Sequence, residues 1–251
     1  MIFANSLRAR AAAAAVFAAA MLAPIAAAGA ASPTKNPTIE VTRADIAASN
    51  QKLAGAYSAL VDMWNKDFKQ IGQQFVAPQI ARYEGDVDTP CGVIDSNNAE
   101  YCSADNTIFY DEVFVAGMAK SAAQALGTDG DMAGIGIIAH EMGHAVAMQL
   151  GYHARDSYTN ESTADCLAGA FAKQAQRDGS LEQGDVEEAL YGMSLAGDPV
   201  LQPTGNRRMD AMLQRRLARE SHGTKEQRQD NFRTGFSGGA KACLSDFTPI
   251  S

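Results

Sequence analysis

Residues 132–148 read MAGIGIIAHEMGHAVAM, and this stretch decides how the rest of the chain must fold. Apolar or small side chains fill nearly every position, which is typical of a helix buried on all sides. His140, Glu141 and His144 interrupt the run. A buried carboxylate beside two imidazoles costs several kcal/mol unless partners compensate it. A divalent metal ion would compensate all three groups, so the stretch predicts a buried, metal-binding helix.

The spacing of these three residues favours zinc. Side chains four residues apart project from the same helix face, about 6 Å apart along the axis. Two imidazole nitrogens placed in this way can converge on Zn²⁺ at about 2.0 to 2.1 Å. In such an H-E-x-x-H arrangement the glutamate takes a proton from a water molecule whose pKa the zinc lowers towards about 7. We therefore predict His140 and His144 as ligands and Glu141 as the catalytic base.

A third protein ligand must come from elsewhere in the chain. The pattern H-E-x-x-H-x-x-G-x-x-H, in which a third histidine follows closely, is excluded because Ala147 and Leu150 occupy the glycine and histidine positions. His153 is nearby, but it follows Gly151 and so lies beyond the expected end of the helix. We interpret it as an ordinary loop histidine.

Glu161 is the preferred third ligand. It stands at the start of the next helical pattern, 162–177, after a loop short enough to return the chain antiparallel to the first helix. Asp165, one turn further on, is expected to accept a hydrogen bond from a ligand histidine and so to orient its ring. The alternative is a solvated acidic pair at a helix N-terminus. The apolar residues 166–172 argue against it, so we predict one zinc per chain with an open fourth position.

The remaining patterns indicate an α+β, helix-rich single domain with one small sheet. Thr42 and Asp45 form a capping-box pattern before a long amphipathic helix, and residues 76–111 contain short apolar runs, separated by Gly, Asp, Asn and Pro, that predict strands. Helical patterns follow at 113–126, 131–150, 162–177, 185–195, 207–220 and 225–236.

The N-terminus predicts export. Two arginines precede an alanine-rich apolar run, 11–28, and Ala28-Gly29-Ala30 has the small-x-small pattern of a signal-peptidase site. We expect a signal peptide over 1–30, a linker over 31–37 and a metallopeptidase domain over 38–251, in the periplasm or secreted. The alternative is a retained membrane anchor, although Pro24 interrupts the weakly hydrophobic run.

Net charge narrows the range of partners. Removing the two arginines of the predicted signal peptide changes the formal charge from −8 to −10, which argues against a nucleic-acid partner. A membrane partner is expected only if the N-terminal segment is retained. A peptide or protein substrate remains.

Four cysteines suit two disulfides in an exported protein, with three possible connectivities. Cys91 with Cys102 is the favoured local pair, because it would close a polar loop that has little apolar content of its own. Cys166 with Cys243 would then be the second pair. A zinc-ribbon site is excluded because no two cysteines have the C-x-x-C spacing.

His222 has two interpretations. It precedes a second capping-box pattern formed by Thr224 and Gln227, and so lies just before the last predicted helix. It is either a solvated or capping side chain, or a donor that reaches the zinc cleft and stabilises the oxyanion of the attacked carbonyl. Tyr152 and Tyr158 are the other candidates for this donor.

The zinc motifs resemble the gluzincin arrangement and, more specifically, the bacterial neutral zinc metallopeptidases of the YpfJ type. The resemblance rests on six blocks: TPC at 89–91, YCSAD at 101–105, IFYD at 108–111, HEMGH at 140–144 with ESTADCLAG at 161–169, SHGT at 221–224 and EQR at 226–228. It implies a zincin-like fold in which the strand around Ile108 to Tyr110 borders the cleft. A peptide could add alongside that strand by β-augmentation.

Three functions stay open at this point. The first is hydrolysis of peptide bonds with Glu141 as base. The second is hydrolysis of amides in cell-wall peptides by the same residues. The third is a non-catalytic, zinc-stabilised binding module, which the sequence disfavours because structural zinc sites normally have four protein ligands and only three are found here.

Overall fold

The computed structural model describes residues 39–200 and 202–244, with the backbone alone for 217–220. The elements run α1 Arg43–Gln70, β1 Gln79–Tyr83, β2 Val87–Thr89, β3 Gly92–Ile94, β4 Ala99–Cys102, β5 Thr107–Asp111, α2 Glu112–Leu126, α3 Asp131–Gln149, α4 Ser157–Arg177, α5 Asp185–Leu195, α6 Arg207–Glu220, α7 Lys225–Gly238 and α8 Ala240–Cys243. The predicted helix-rich α+β fold is confirmed. The predicted signal peptide and linker lie outside the described residues. Among the helices of the described part, none has the length and apolar character needed to cross a bilayer.

Helix α3 lies at the centre of the fold. Fourteen of its nineteen residues are buried, and it packs against α1, α2, α4 and α5. The all-round apolar sequence explains this position, because no face of the helix needs to meet water. The amphipathic helix α1 covers it on one side with Leu53, Leu60 and Trp64, each at most 2% exposed.

The main sheet corrects one expectation. Its strand order is β1-β5-β4, with β5 parallel to β1 and antiparallel to β4. The segment Ile108 to Tyr110, expected to border the cleft, therefore lies in the central strand. The side chains of Ile108 and Tyr110 are 0% and 3% exposed, as their apolar character in a central strand requires. The free edge towards the cleft belongs to β4 instead. Strands β2 and β3 form a separate two-stranded ribbon.

Helix α4 begins five residues earlier than its apolar pattern predicts. Asp156 is the N-cap, and its carboxylate accepts a hydrogen bond from the backbone N–H of Thr159 at 2.8 Å. The first turn is polar and partly exposed, so hydrophobic periodicity does not mark it. As a consequence Glu161 lies inside the helix, four residues and about one turn before Asp165.

Glycines let α4 approach its neighbours closely. A Cβ at Gly143 of α3 would lie 2.9 Å from the carbonyl oxygen of Ala164 in α4. Helix α7 crosses α4 on another side, where a Cβ at Gly169 would lie 2.0 Å from Phe232 O and one at Gly235 would lie 1.7 Å from Cys166 O. These contacts bring backbones together without side chains between them, so α4 packs directly against both α3 and α7.

Both disulfides of the favoured pairing are present. Cys91 is bonded to Cys102, which ties the β2–β3 ribbon to the end of β4. Cys166 is bonded to Cys243, which ties α4 to α8 across 77 residues of sequence. Two disulfides are typical of a protein that folds in an oxidising, exported compartment.

Candidate metal centre

The side chains of His140, His144 and Glu161 converge on one point between α3 and α4. The Nε2 atoms of the two histidines are 3.1 Å apart, and Glu161 Oε2 lies 3.1 Å from His140 Nε2. Glu161 Oε1 lies 3.6 Å from His144 Nε2. The three residues form a group in which each offers one ligand atom to a common position.

These distances fit a tetrahedral zinc site. Donor atoms that bind zinc at about 2.0 to 2.1 Å with tetrahedral angles lie about 3.3 Å apart. The donor chemistry agrees, because two imidazole nitrogens and one carboxylate form one of the known catalytic zinc sets. Two ring nitrogens and a carboxylate bring several lone pairs to one point, so a positive charge at its centre would stabilise the arrangement.

Asp165 and Arg228 hold the first histidine in place. His140 Nδ1 donates to Asp165 Oδ1 at 2.8 Å, which leaves Nε2 as the atom that faces the metal position. Asp165 is fully buried, and Arg228 of α7 donates to it twice, from Nη2 at 2.7 Å and from Nε at 3.1 Å. The Nη1 atom of the same arginine donates to Ala196 O at 3.0 Å. The buried carboxylate of Asp165 is thus stabilised by the guanidinium group of Arg228 and by the imidazole N–H of His140.

The titration of the cluster reflects the same need for positive charge. Burial alone would lower the pKa of His140, but the carboxylates of Asp165 and Glu161 outweigh burial and raise this pKa to about 10. Burial alone would raise the pKa of Glu161, but its hydrogen bonds with the two histidines outweigh burial and lower it. A metal ion would replace the proton that the cluster otherwise holds.

Glu141 lies beside the metal position but outside its ligand group. Its Oε1 is 4.0 Å from His140 Nε2, and its Oε2 accepts a hydrogen bond from the backbone N–H of Tyr101 at 2.9 Å. Burial is the main cause that raises the pKa of its carboxyl, and the two histidines oppose the rise. A raised pKa suits a group that accepts a proton and later returns it.

The metal position opens into a cleft of about 830 Å³. One wall is β4, with Ala99, Glu100 and Tyr101, and the floor is α3. In an antiparallel pair, backbone groups of alternate residues point towards the partner strand or away from it. The backbone N–H of Tyr101 donates to Glu141, so it points away from β5. The backbone N–H and C=O groups of Ala99 and Tyr101 therefore point from the free edge of β4 into the cleft.

The loop before α7 brings His222 to the same cleft. Its imidazole is 56% exposed and lies 3.8 Å, by its Nδ1, from Asp198 Oδ1. The backbone N–H of His222 donates to Asp198 Oδ2 at 2.7 Å. Gly223 has a φ of +93°, and a Cβ there would lie 2.9 Å from the ring of Tyr158, so glycine is needed for this turn.

The other predicted residues take different positions. Tyr152 and His153 line the cleft, and Tyr152 accepts a hydrogen bond from Thr163 at 3.3 Å. Tyr158 packs under the loop that carries His222. The loop histidine His153 is exposed and outside the ligand group, as its sequence position indicates.

Arg228 is the residue of this cluster to which the sequence assigned no role. It lies 63 residues after Asp165, and nothing in its local pattern distinguishes it from a surface arginine of an amphipathic helix. The block EQR at 226–228 was the only signal, and it pointed to a family without pointing to a contact. Only the crossing of α4 and α7 brings the two side chains together.

A buried H-E-x-x-H helix, a glutamate ligand from the following helix and an open cleft define the zinc metallopeptidase class of proteins. The family model described as "Putative neutral zinc metallopeptidase" matches residues 13–247, and the chain belongs to this family. The resemblance inferred from the motifs is therefore confirmed, and membership of this family supports a metallopeptidase role.

Relatives agree with the family assignment. The chain is 34% identical to the "Uncharacterized protein YpfJ" of Escherichia coli strain K12 over 204 residues, which cover 74% of this chain and 67% of that protein. The protein of the same description in Escherichia coli O6:H1 strain CFT073 gives the same identity and coverage. No solved structure matches the chain significantly.

Proposed function

We propose that the protein is a peptidase that hydrolyses peptide bonds with one zinc ion held by His140, His144 and Glu161. The observation that carries the proposal is the position of Glu141, whose carboxylate lies next to the common point of the three ligand atoms and on the open side of the cleft. A purely structural site has no use for an uncoordinated carboxylate there.

Substrate binding would use the free edge of β4. An extended peptide that pairs with this edge adds one strand to the sheet and passes over the carboxylate of Glu141. The outward carbonyl groups of Ala99 and Tyr101 would accept from the peptide, whereas the N–H of Tyr101 remains with Glu141. A linear peptide in extended conformation is therefore the substrate that the cleft fits.

Zinc, when bound, supplies a positive charge that polarises the scissile carbonyl and acidifies water. Glu141 accepts the proton of the attacking water and passes it to the leaving amine. His222 donates from its imidazole to the oxygen that becomes negative on the attacked carbon. Asp165 and Arg228 take no proton in this scheme, because their task is to keep the ring of His140 in the orientation that binds the metal.

The non-catalytic alternative would use the same fold with a different fourth position. Structural zinc sites are normally closed by four protein ligands. Within residues 39–200 and 202–244, the group around His140 contains three, and its open side faces a cleft large enough for a peptide. Cell-wall peptides are compatible with the same residues, so they belong among the substrates to be tested.

The test compares zinc-loaded wild-type protein with Glu141→Gln on a library of linear peptides and on cell-wall peptides. We expect kcat to fall about 10²- to 10⁴-fold in Glu141→Gln, because the base is lost while the three ligands remain. Zinc content, measured by elemental analysis, should stay at one per chain. Glu187→Gln, an exposed change on α5, is the matched control. Undiminished turnover in Glu141→Gln would refute the mechanism, and so would turnover that survives complete removal of zinc.

A further inference from the structure

A second cluster of potential metal ligands lies at the N-terminal end of α3. One carboxylate oxygen from each of Asp129, Asp131, Asp185 and Glu188 falls within 4.8 Å of every other. Asp129 belongs to the loop before α3, Asp131 begins α3, and the other two lie in the first turn of α5. The tertiary fold has therefore gathered four acidic groups from two separate parts of the chain.

The two inner carboxylates are buried and only half satisfied. Glu188 is 0% exposed and Asp185 is 4% exposed. Glu188 Oε2 accepts from the backbone N–H of Met132 at 3.0 Å, and Asp185 Oδ2 accepts from that of Glu182 at 2.7 Å. Their other oxygens, Glu188 Oε1 and Asp185 Oδ1, are buried without any hydrogen-bond partner among the described residues.

A third buried oxygen is in the same state. Thr128 Oγ1 also has no partner within the described part of the chain. Both Thr128 and Glu188 lie against Gly184, since a Cβ built there would be 2.6 Å from Thr128 Cγ2 and 3.9 Å from Glu188 Oε1. A polar group that is buried without a hydrogen-bond partner destabilises the fold, and a charged one does so more strongly.

The fold compensates the outer part of the cluster but not the inner part. Lys52 of α1 donates from Nζ to Asp129 Oδ2 at 3.1 Å and to Asp131 Oδ2 at 2.8 Å. Its side chain is 49% exposed, so it covers the solvent side. The N-termini of α3 and α5 add partial positive charge, and the glycine N-caps of both helices place no side chain there. None of these groups donates to Asp185 Oδ1 or Glu188 Oε1.

The cluster carries more negative than positive charge, because its four carboxylates face the ammonium group of Lys52 alone among the contacts of the described residues. Four acids facing one lysine thus leave a site that favours an added cation.

We propose that Asp129, Asp131, Asp185 and Glu188 bind a calcium ion that fastens the start of α3 to the start of α5. Calcium takes oxygen ligands only, at about 2.3 to 2.6 Å, so two oxygens on opposite sides of the ion lie about 4.8 Å apart. The four carboxylate oxygens lie no further than this from one another, so they can surround one ion of this size. Zinc prefers nitrogen and sulfur donors, and magnesium demands a near-ideal octahedron and usually keeps several waters, so it is seldom held by four protein carboxylates.

The consequence for the enzyme is mechanical support of the zinc-binding helix. His140 lies nine residues after Asp131 on the same continuous helix, and α5 packs along α3 where Gly192 touches Ala133. Calcium at the head of both helices would fix this pair. The zinc centre would then keep its geometry without any contact between the two ions.

Calcium binding is tested on protein that has been stripped of metals and reloaded with one equivalent of zinc. Isothermal titration with calcium chloride should show one site per chain. At a hundredfold excess over Kd, calcium should raise the Tm by about 5 to 10 °C. Magnesium should bind at least tenfold more weakly, and an equal response to magnesium would overturn the assignment to calcium.

Variants separate a cation site from a set of helix-terminal acids. Glu188→Gln should lose the calcium-dependent rise in Tm, while Glu187→Gln, one residue away and exposed, should keep it. Should Glu188→Gln fold poorly, Asp129→Asn at the exposed rim should still weaken calcium binding about tenfold. A wild-type protein without calcium response, or equal responses in Glu188→Gln and Glu187→Gln, would overturn the proposal. Since the readouts are binding and unfolding, an inactive but calcium-responsive protein would refute only the peptidase proposal.

Discussion

Two clusters of potential metal ligands lie along helix α3, and they differ in donor atoms and in net charge. In the middle of the helix two imidazoles project from one face, and the carboxylate of Glu161 adds a third donor and one negative charge to this group. The start of the helix joins four carboxylates, with one lysine at their rim. The first set suits a borderline ion that accepts nitrogen, and the second suits a hard ion that accepts oxygen alone.

The two clusters also differ in how they are supported. In the zinc centre, Asp165 fixes the ring of His140, and Arg228 in turn satisfies Asp165. In the acidic cluster the two inner carboxylates are only half satisfied, because Asp185 Oδ1 and Glu188 Oε1 are buried without donors in the described chain. We therefore expect the first site to serve the proposed chemistry and the second, with calcium bound, to serve stability.

The largest effect is expected when a carboxylate is removed from the zinc centre. Glu161→Ala should lose zinc together with peptidase activity, because two histidines alone bind the metal far more weakly. The calcium response in thermal unfolding should remain. Glu188→Gln should show the opposite, with zinc retained and the calcium response lost. Zinc retention in Glu161→Ala, measured by elemental analysis after gel filtration, would remove this residue from the ligand set.

The next effect concerns the oxyanion donor. His222→Ala should lower kcat by roughly 10² to 10³ while zinc stays bound, since a lost donor destabilises only the charged transition state. His153→Ala is the matched control, because this histidine also lines the cleft but stands outside the ligand group. Near-normal kcat in His222→Ala would return His222 to the role of a solvated loop residue.

The convergence of the three candidate ligands could be predicted from sequence because their pattern is local. His140 and His144 share one helix face, and Glu161 follows within the next helix, so spacing and burial were sufficient. The start of α4 was predicted too late because its first turn is polar and is defined by a cap at Asp156 instead of by periodicity.

Longer-range features could not be predicted in this way. The order of the strands depends on which side of β5 each neighbour joins, and a sequence pattern predicts a buried strand without naming its partners. For the same reason the edge next to the cleft was assigned to the wrong strand. Arg228 and the acidic cluster both depend on helix packing between segments 56 to 63 residues apart, as the contacts Met132 to Glu188 and Asp165 to Arg228 illustrate.

A smaller effect is expected at the residue that positions His140 from a distance. Arg228→Met should weaken zinc binding about 10- to 100-fold, because Asp165 loses two donors and no longer fixes the imidazole. Arg233→Met removes an exposed arginine from the same helix and should leave zinc affinity unchanged. The zinc Kd, measured by competition with a chelating dye, distinguishes positioning from general destabilisation, which would lower the Tm without changing the Kd of the folded protein.

The smallest expected effect on stability concerns the positive charge of Lys52, which partly offsets the negative charge of the acidic cluster. Lys52 pairs with Asp129 and Asp131 at the solvent side, where an exposed ion pair stabilises a protein by about 0.2 to 1 kcal/mol. In calcium-free buffer, Lys52→Met should therefore lower the Tm slightly.

The same change should raise calcium affinity about five- to tenfold, because a unit charge about 4 to 5 Å from a divalent ion in water repels it by about 2 kcal/mol, which salt at about 0.1 M screens to nearer 1 kcal/mol. The variant loses stability without calcium but gains calcium affinity only if calcium and the ammonium group of Lys52 bind to the same carboxylates. If Lys52 is itself the counterion that completes the cluster, the variant should be destabilised and calcium should not restore its Tm. Titration calorimetry and thermal unfolding of Lys52→Met beside wild type decide between the two, with Lys66→Met of the same helix as the control for loss of a positive charge.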